Sequence, residues 1–170
     1  MFEEEFEMDN HKKLPVFQKA MEIVDLANKI ADFMNDSIEK KLKDTELEMA
    51  KSYVNDIVAN SYIIPAKIAG AESGGLYDLR MENAAIIRKA AREISTNCSG
   101  LKMFDLDGFD YLSLLREEIE QFRIEFAEWV KSFDQWDYII DRWGLFNPPG
   151  VNYDDHDPDD DIPFDPKDFL

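Results

Sequence analysis

The stretch Asn60–Ile94, NSYIIPAKIAGAESGGLYDLRMENAAIIRKAAREI, decides the fold of this chain. It holds a helical apolar pattern with a proline inside it, then a polar break with two glycines, and then an alanine-rich second pattern. Helix interiors normally exclude proline, which lacks a backbone donor and clashes with the preceding turn. The three-and-four spacing of apolar residues nevertheless runs from Val54 to Ala69, on both sides of Pro65. The sequence therefore predicts one continuous helix with a kink at Pro65.

The breaks around this stretch define the neighbouring helices. Ser73–Gly75 is predicted to end the kinked helix, because glycine adopts positive φ without steric cost. Upstream, Leu14–Pro15 opens a first helix, where proline is tolerated, and its apolar stripe runs from Val16 to Met34. Asn35–Ser37 is the predicted end of that helix. The charged segment 38–50 that follows is either a loop or the first turns of the second helix.

A fourth helix completes the pattern. The loop Asp105–Asp110 leads into apolar positions that recur at helical spacing from Leu112 to Phe133, and Asn147–Gly150 must stop any helix. Four long amphipathic helices without an alternating strand pattern predict an all-α fold, an antiparallel up-and-down four-helix bundle. The predicted division is an acidic arm over residues 1–12, a bundle over 13–147 and an Asp/Pro-rich acidic tail over 148–170.

Composition and charge limit the classes of partner. At 170 residues and 45% hydrophobic content, the chain fits one globular domain. The net charge of −18 is concentrated at the ends, with −7 in the last twenty residues and −5 in the first nine. Phosphate neutralisation requires clustered Lys and Arg, so a chain this acidic repels nucleic acid overall. Nucleic acid is therefore a disfavoured partner, and any contact with it depends on a local basic patch.

The sequence predicts neither a membrane span nor a secretory leader. No apolar run approaches the roughly 18 to 20 residues that span a bilayer. The first ten residues, MFEEEFEMDN, are acidic where a secretory signal would be basic and then apolar. The single cysteine, Cys98, permits no internal disulfide and is expected to be a small buried residue. The expected location is the cytoplasm.

No catalytic, cofactor or metal site is expected. The two histidines, His11 and His156, lie in the polar ends, and the Glu-x-x-His pairs of a four-helix di-metal site are absent. Asp105–Asp110 resembles half of a calcium loop, but its glycine is fourth rather than sixth and Arg116 stands where the twelfth-position Glu belongs. A loop that caps the fourth helix is the favoured interpretation. The acidic run 154–161 is expected to be a solvated tail rather than a cation site.

Two residue sets remain as candidates for binding. Arg80, Arg88, Lys89 and Arg92 recur at helical spacing on the third helix, and Arg88 and Arg92 are one turn apart, so they are a possible nucleic-acid or partner site. The favoured alternative is pairing with Glu82 and Glu93 or with acidic residues of a neighbouring subunit, because phosphate binding needs a net positive patch.

The second set is aromatic. Trp129, Trp136 and Trp143 are spaced by seven, with Phe133 among the phenylalanines between them. If the fourth helix continues through Asn147, these rings lie along one side of it, and a subunit interface is the preferred interpretation, since such surfaces are rich in aromatics. Plain core packing under the C-terminal segment is the alternative.

The chain resembles a family of bacterial four-helix-bundle proteins encoded in intervening sequences of large-subunit ribosomal RNA genes. Related members act as accessory variability determinants of diversity-generating retroelements. Leu14–Ala20 is similar to the family's opening, Ala59–Glu72 to its second-helix Ile-Pro signature, and Arg80–Ile94 occupies the place of its alanine-rich third helix. The arginines that the family usually carries before Ile-Pro are replaced here by Val58–Ser61.

The resemblance implies a homo-oligomer, commonly a pentamer. Together with the residue patterns it predicts a non-enzymatic oligomeric scaffold or adaptor with an unknown protein or ribonucleoprotein partner. The alternative prediction is an RNA- or ribonucleoprotein-binding accessory protein that uses the basic residues of the third helix.

Overall fold

The computed structural model describes residues 10–157, and it contains four long α-helices preceded by one turn of 3-10 helix, Asn10–Lys13. The helices are α1 (Pro15–Lys41), α2 (Asp44–Glu72), α3 (Tyr77–Leu101) and α4 (Phe109–Lys131). Residues 132–157 form turns and bends. Most of the predicted acidic arm, residues 1–9, and the last part of the predicted tail, residues 158–170, lie outside the described residues.

The four helices form an all-α up-and-down bundle, which confirms the predicted fold class. Each helix packs against the next one along the chain, and α4 packs back against α1 and closes the bundle. Within residues 10–157 the backbones of the diagonal pairs α1–α3 and α2–α4 do not approach each other closely. Side chains do cross the α2–α4 diagonal, since the Trp129 indole donates to Glu72. The short connections between helices account for this order, because they leave successive helices antiparallel neighbours.

The apolar stripe of α1 lies in the core, and it is longer than predicted. Met34 and Ile38 are fully buried, and Leu42 just beyond the helix is 7% exposed. The predicted break at Asn35–Ser37 is therefore wrong, since the stripe continues at four-residue spacing and holds the backbone helical to Lys41. The charged segment 38–50 is divided between the last turn of α1, a two-residue connection and the first turns of α2.

Helix α2 runs through Pro65 without interruption, as the apolar spacing predicted. Pro65 is itself buried, and its missing amide leaves the Ser61 carbonyl without the usual helical donor. The neighbouring Ser61 side chain is fully buried, and its hydroxyl donates to the Val58 carbonyl at 2.7 Å. Burial of the proline ring and of the residues around it holds the helix together where one backbone hydrogen bond is lost. The kink itself stays a prediction.

The end of α2 differs from its predicted mechanism. Its last turn is closed by Ser73, whose amide donates to the Ala69 carbonyl at 3.1 Å and whose hydroxyl donates to the Gly70 carbonyl at 2.7 Å. Neither Gly74 nor Gly75 has a positive φ. Gly75 is needed for a different reason, which is that the Asp137 side chain lies close to its Cα. A Cβ at this position would lie 2.5 Å from an Asp137 carboxylate oxygen.

The loop before α4 is also held differently from the prediction. Its aspartates do not cap α4, because the N-cap position is held by Gly108, with φ of 97°, which has no side chain to accept a backbone amide. Asp107 turns away towards α1, where it accepts a hydrogen bond from Lys41 at 2.9 Å, and its backbone amide donates to the Ser37 hydroxyl at 3.1 Å. The Lys41 ammonium lowers the pKa of Asp107 below its ordinary value. The loop therefore ties the start of α4 to the end of α1.

Residues 132–157 fold back on the start of α3. The Tyr77 amide donates to the Asp137 carbonyl at 2.7 Å, and the Ile139 amide donates to the Asp78 side chain at 3.4 Å. Helix α4 has ended at Lys131, so the condition on which the aromatic stripe depended, a helix that continues through Asn147, is not met. The Asp134 side chain accepts the Trp136 amide at 2.9 Å, which offers the backbone a turn in place of another helical bond.

Candidate interaction surfaces

The three regularly spaced tryptophans fall into two environments. Trp129 and Phe133 are 7% and 5% exposed and belong to the core of the single chain, whereas Trp136 and Trp143 are 90% and 91% exposed. This corrects the predicted subunit interface for the first two residues, which have no surface to offer to a second chain. The reason is that α4 ends at Lys131, so the seven-residue spacing no longer places the rings on one side of one helix.

The buried Trp129 belongs to a set of hydrogen bonds that connects α2, α3 and α4. Its indole nitrogen donates to Glu72 Oε1 at 2.7 Å, and the Arg80 guanidinium donates to the same oxygen. Arg80 also lies over the Phe133 ring, 4.2 Å from the ring centroid, in cation–π geometry. Arg80 is therefore a structural residue at the base of the bundle, and it does not belong to a surface patch with Arg88 and Arg92.

The backbone around the exposed Trp143 is held in place by Asp141. Its carboxylate accepts the amides of Trp143, Leu145 and Phe146 at 2.9, 2.8 and 2.9 Å. These three backbone donors lower the pKa of Asp141 below its ordinary value. The Arg142 guanidinium adds bonds to the carbonyls of Tyr153 and Asp155 at 2.9 and 2.7 Å. The turn is therefore ordered by its own polar groups and leaves its large apolar side chains in solvent.

Five large apolar side chains of residues 132–157 are exposed, and we call this part of the chain the aromatic segment, defined by Trp136, Ile139, Trp143, Leu145 and Tyr153. Their exposed fractions are 90, 56, 91, 75 and 58%. Large exposed apolar side chains that are concentrated in one part of a surface mark interaction sites more often than single scattered ones do. Tryptophan in particular supplies large contact energies in protein interfaces.

A second surface lies between α3 and α4, and we call it the α3/α4 groove. Its volume is about 490 Å³, within the range of small-ligand and peptide-anchor pockets. The side chains of Ala91, Ile119, Phe122 and Phe126 give it an apolar lining. Around them stand three arginines and one glutamate: Arg88, Arg92, Arg123 and Glu120.

Two of the four predicted basic residues line the groove, and the other two do not. Arg88 and Arg92 line it together, and within residues 10–157 neither forms an ion pair. Lys89 does not line the groove, and its ammonium lies 3.7 Å from Glu93, one of the two partners that the alternative interpretation gave to the basic residues of this helix. Lys89 reaches it because the two residues are one helical turn apart.

Arg123 also lines the groove, although no pattern in the sequence indicated it as a binding residue. Its guanidinium lies 2.9 Å from Glu120 on the same helix. The sequence signal was its position between Phe122 and Phe126 in the apolar pattern of α4, but its convergence with Arg88 depends on how α3 packs against α4.

The described residues contain no arrangement suited to metal or thiol chemistry. No group of three His, Cys, Asp or Glu side chains among residues 10–157 is placed to hold a metal ion. Cys98 is fully buried, and burial raises the pKa of its thiol to about 11, so the reactive thiolate is scarce at neutral pH. His11 packs its ring against Phe17, 4.9 Å between centroids. Over the same described range, no helix has the length and apolar content needed to cross a membrane.

Comparison with known proteins does not assign the chain to a family. No protein-family description, no curated protein and no solved structure matches it. The structure shows a four-helix all-α protein. The aromatic segment and the α3/α4 groove are its two candidate interaction surfaces.

Proposed function

We propose that this protein is a non-enzymatic, oligomeric four-helix-bundle scaffold or adaptor whose contacts are made through the aromatic segment. The single observation that carries the proposal is the exposure of Trp136 and Trp143, at 90% and 91%, on an ordered backbone. Burying a tryptophan side chain in an interface removes 150–250 Å² of aromatic surface from water. At about 25 cal/mol per Å², each ring is a substantial source of binding energy.

Pre-organisation strengthens this argument. The Asp141 carboxylate accepts three backbone amides of the turn that carries Trp143. A segment whose backbone is already fixed loses less conformational entropy when a partner covers its side chains. Ordered backbone beneath exposed aromatic side chains is the arrangement expected of a protein-binding surface, because folding alone gains nothing from leaving these rings in water.

The finer parts of the proposal concern family, location and subunit number. The Ile-Pro signature around Pro65 and the opening at Leu14–Ala20 support a scaffold of the ribosomal intervening-sequence type. That resemblance implies a homo-oligomer, commonly a pentamer. A cytoplasmic location fits the single, unpaired Cys98.

Light scattering coupled to gel filtration tests the proposal. We expect the full-length protein to form a discrete oligomer, and the double variant Trp136→Ser/Trp143→Ser to shift towards the monomer mass. Met103→Ser is the matched control, since Met103 is 85% exposed in the α3–α4 connection, outside the aromatic segment. A monomeric wild-type protein, or an oligomer that the double variant leaves intact, would refute the proposal.

RNA or a ribonucleoprotein is the second candidate partner. It is favoured by one observation, the convergence of Arg88, Arg92 and Arg123 on the α3/α4 groove. Two of these arginines are one turn apart, so they are able to face one phosphate together. Retention of structured RNA that falls with rising salt and is lost in Arg88→Glu/Arg92→Glu would support this candidate. Absence of retention at low salt would exclude it.

A further inference from the structure

We infer that the α3/α4 groove receives the aromatic segment of a second copy of this chain, with Trp143 and Leu145 as the inserted side chains. The inference rests on the proposed oligomeric function and assigns the two sides of its interface. It makes the contact heterologous, because the segment of one copy meets a different surface on the next copy.

The groove side offers apolar contact surrounded by positive charge. Phe126, which is partly exposed, and Ala127, which is exposed, present apolar surface above the buried side chains of Ile119 and Phe122. Arg88 and Arg92 are exposed and have no ion-pair partner within residues 10–157. Arginine beside an apolar pocket stacks on aromatic rings and pairs with carboxylates, and it is enriched in protein interfaces.

The aromatic segment has the complementary properties, which are protruding apolar side chains and negative charge. Trp143 and Leu145 are 91% and 75% exposed. Residues 132–157 contain six Asp and one Arg, and that Arg142 donates to carbonyls of its own segment. The segment is therefore an acidic surface with protruding apolar side chains, whereas the groove is an apolar depression bordered by arginines. Such complementarity directs association and fixes the register of partners.

The segment does not fill the groove of its own chain. It is held at the first turn of α3 by the bonds from Tyr77 to Asp137 and from Ile139 to Asp78. Arg88 lies ten residues further along α3, which corresponds to about 15 Å along the helix axis. With the segment fixed in this way and both Trp143 and Leu145 in solvent, the groove is left for a segment from another molecule.

Complementation between two full-length variants tests this assignment. The segment variant, Trp143→Ser/Leu145→Ser, keeps an intact groove, and the groove variant, Arg88→Glu/Arg92→Glu, keeps an intact segment. All four altered side chains are exposed, so both variants are expected to keep the wild-type circular dichroism spectrum. We expect each variant alone to associate at least tenfold more weakly than the wild type. An equimolar mixture should form a one-to-one dimer and nothing larger, because only one competent contact exists between the two chains.

The outcomes separate this inference from the proposed function. If the wild-type protein is monomeric, both fail. If it is oligomeric and the groove variant keeps the wild-type mass, the inference is overturned while the scaffold proposal stands, because the aromatic segments then pair with each other or with a surface outside the groove. Two weakened variants that do not form a heterodimer when mixed also overturn it. A one-to-one dimer supports it.

Discussion

Asp141 and Asn147 hold each other through two hydrogen bonds. The Asp141 amide donates to the Asn147 side-chain oxygen at 2.7 Å, and the Asn147 side-chain amide donates to the Asp141 carbonyl at 2.9 Å. Between them lies the turn that carries Trp143. The Asp141 side chain fills this turn by accepting three of its backbone amides. The exposed tryptophan thus stands on a closed turn whose polar groups bind one another.

Asn147→Ala removes both of these bonds and should loosen the turn. We expect the amides of Trp143, Leu145 and Phe146 to exchange with deuterium about tenfold faster, which corresponds to about 1.4 kcal/mol of local stability. Asn83→Ala is the control, since Asn83 donates only to the Leu79 carbonyl within α3. Unchanged exchange of the three amides in Asn147→Ala would show that the two bonds do not stabilise the turn.

Acid should weaken the same turn. The pKa of Asp141 is lowered from 3.8 by the amides of Phe146, Trp143 and Leu145. Because the pKa of Asp141 is lower in the folded protein, the unfolded chain binds the proton more readily. The contribution of Asp141 to the free energy of unfolding is therefore complete above pH 3.8, and it is lost as the pH falls through the pKa of Asp141 in the folded protein. Urea unfolding measured from pH 6 downwards should show this loss.

Asp141→Asn supplies the reference for that titration, because it has no proton to bind. Asp107, whose pKa is also lowered, is present in both proteins. Its contribution therefore cancels in the difference between their free energies of unfolding. Parallel stability curves for the wild type and Asp141→Asn below pH 3.8 would contradict the assigned role of Asp141.

The link between Glu72 and Trp129 should matter for global stability. Glu72→Ala leaves the indole N–H of Trp129 and the Arg80 guanidinium without their shared acceptor in a partly buried site, so we expect a loss of about 1.5–3 kcal/mol. Glu39→Ala is the matched control, because Glu39 forms an exposed ion pair with Lys51 at 2.8 Å, and such pairs contribute about 0–1 kcal/mol. Equal unfolding free energies for the two variants would rule out a special role for Glu72.

Gly108 should tolerate substitution less well than Gly150. Both have positive φ, 97° and 88°, which costs a residue with a side chain about 1–2 kcal/mol. A Cβ at Gly108 would also lie 2.7 Å from the Phe33 ring, whereas nothing lies within 4 Å of one at Gly150. We therefore expect Gly108→Ala to lose about 1–3 kcal/mol more than Gly150→Ala in urea unfolding. A difference near zero would mean that the Phe33 ring moves aside freely.

The bundle was predictable because its signals are local and repeated. The continuous helix through Pro65 follows from apolar spacing on both sides of one residue, and the closed four-helix order follows from short connections. The end of α1 was misplaced because Asn35–Ser37 reads as a polar break, while the burial of Ile38 and Leu42 depends on packing against other helices.

The candidate surfaces were less predictable for the same physical reason. A seven-residue spacing of tryptophans indicates one helical face only while the helix lasts, and the capture of the Trp136 amide by Asp134 is a local competition that spacing does not reveal. The spacing of Arg88 and Arg92, one helical turn apart, was enough to predict that they lie together. Their meeting with Arg123 depends on the packing of α3 against α4, which no pattern in either helix alone specifies.

The most direct test of the central claim is the mass of the full-length protein in solution, measured by light scattering beside the Trp136→Ser/Trp143→Ser variant. We expect a discrete oligomer for the wild type and a shift towards the monomer for the variant, with unchanged helical content in both. A wild-type monomer, or equal oligomer masses for the two proteins, would contradict the claim that the aromatic segment assembles this bundle.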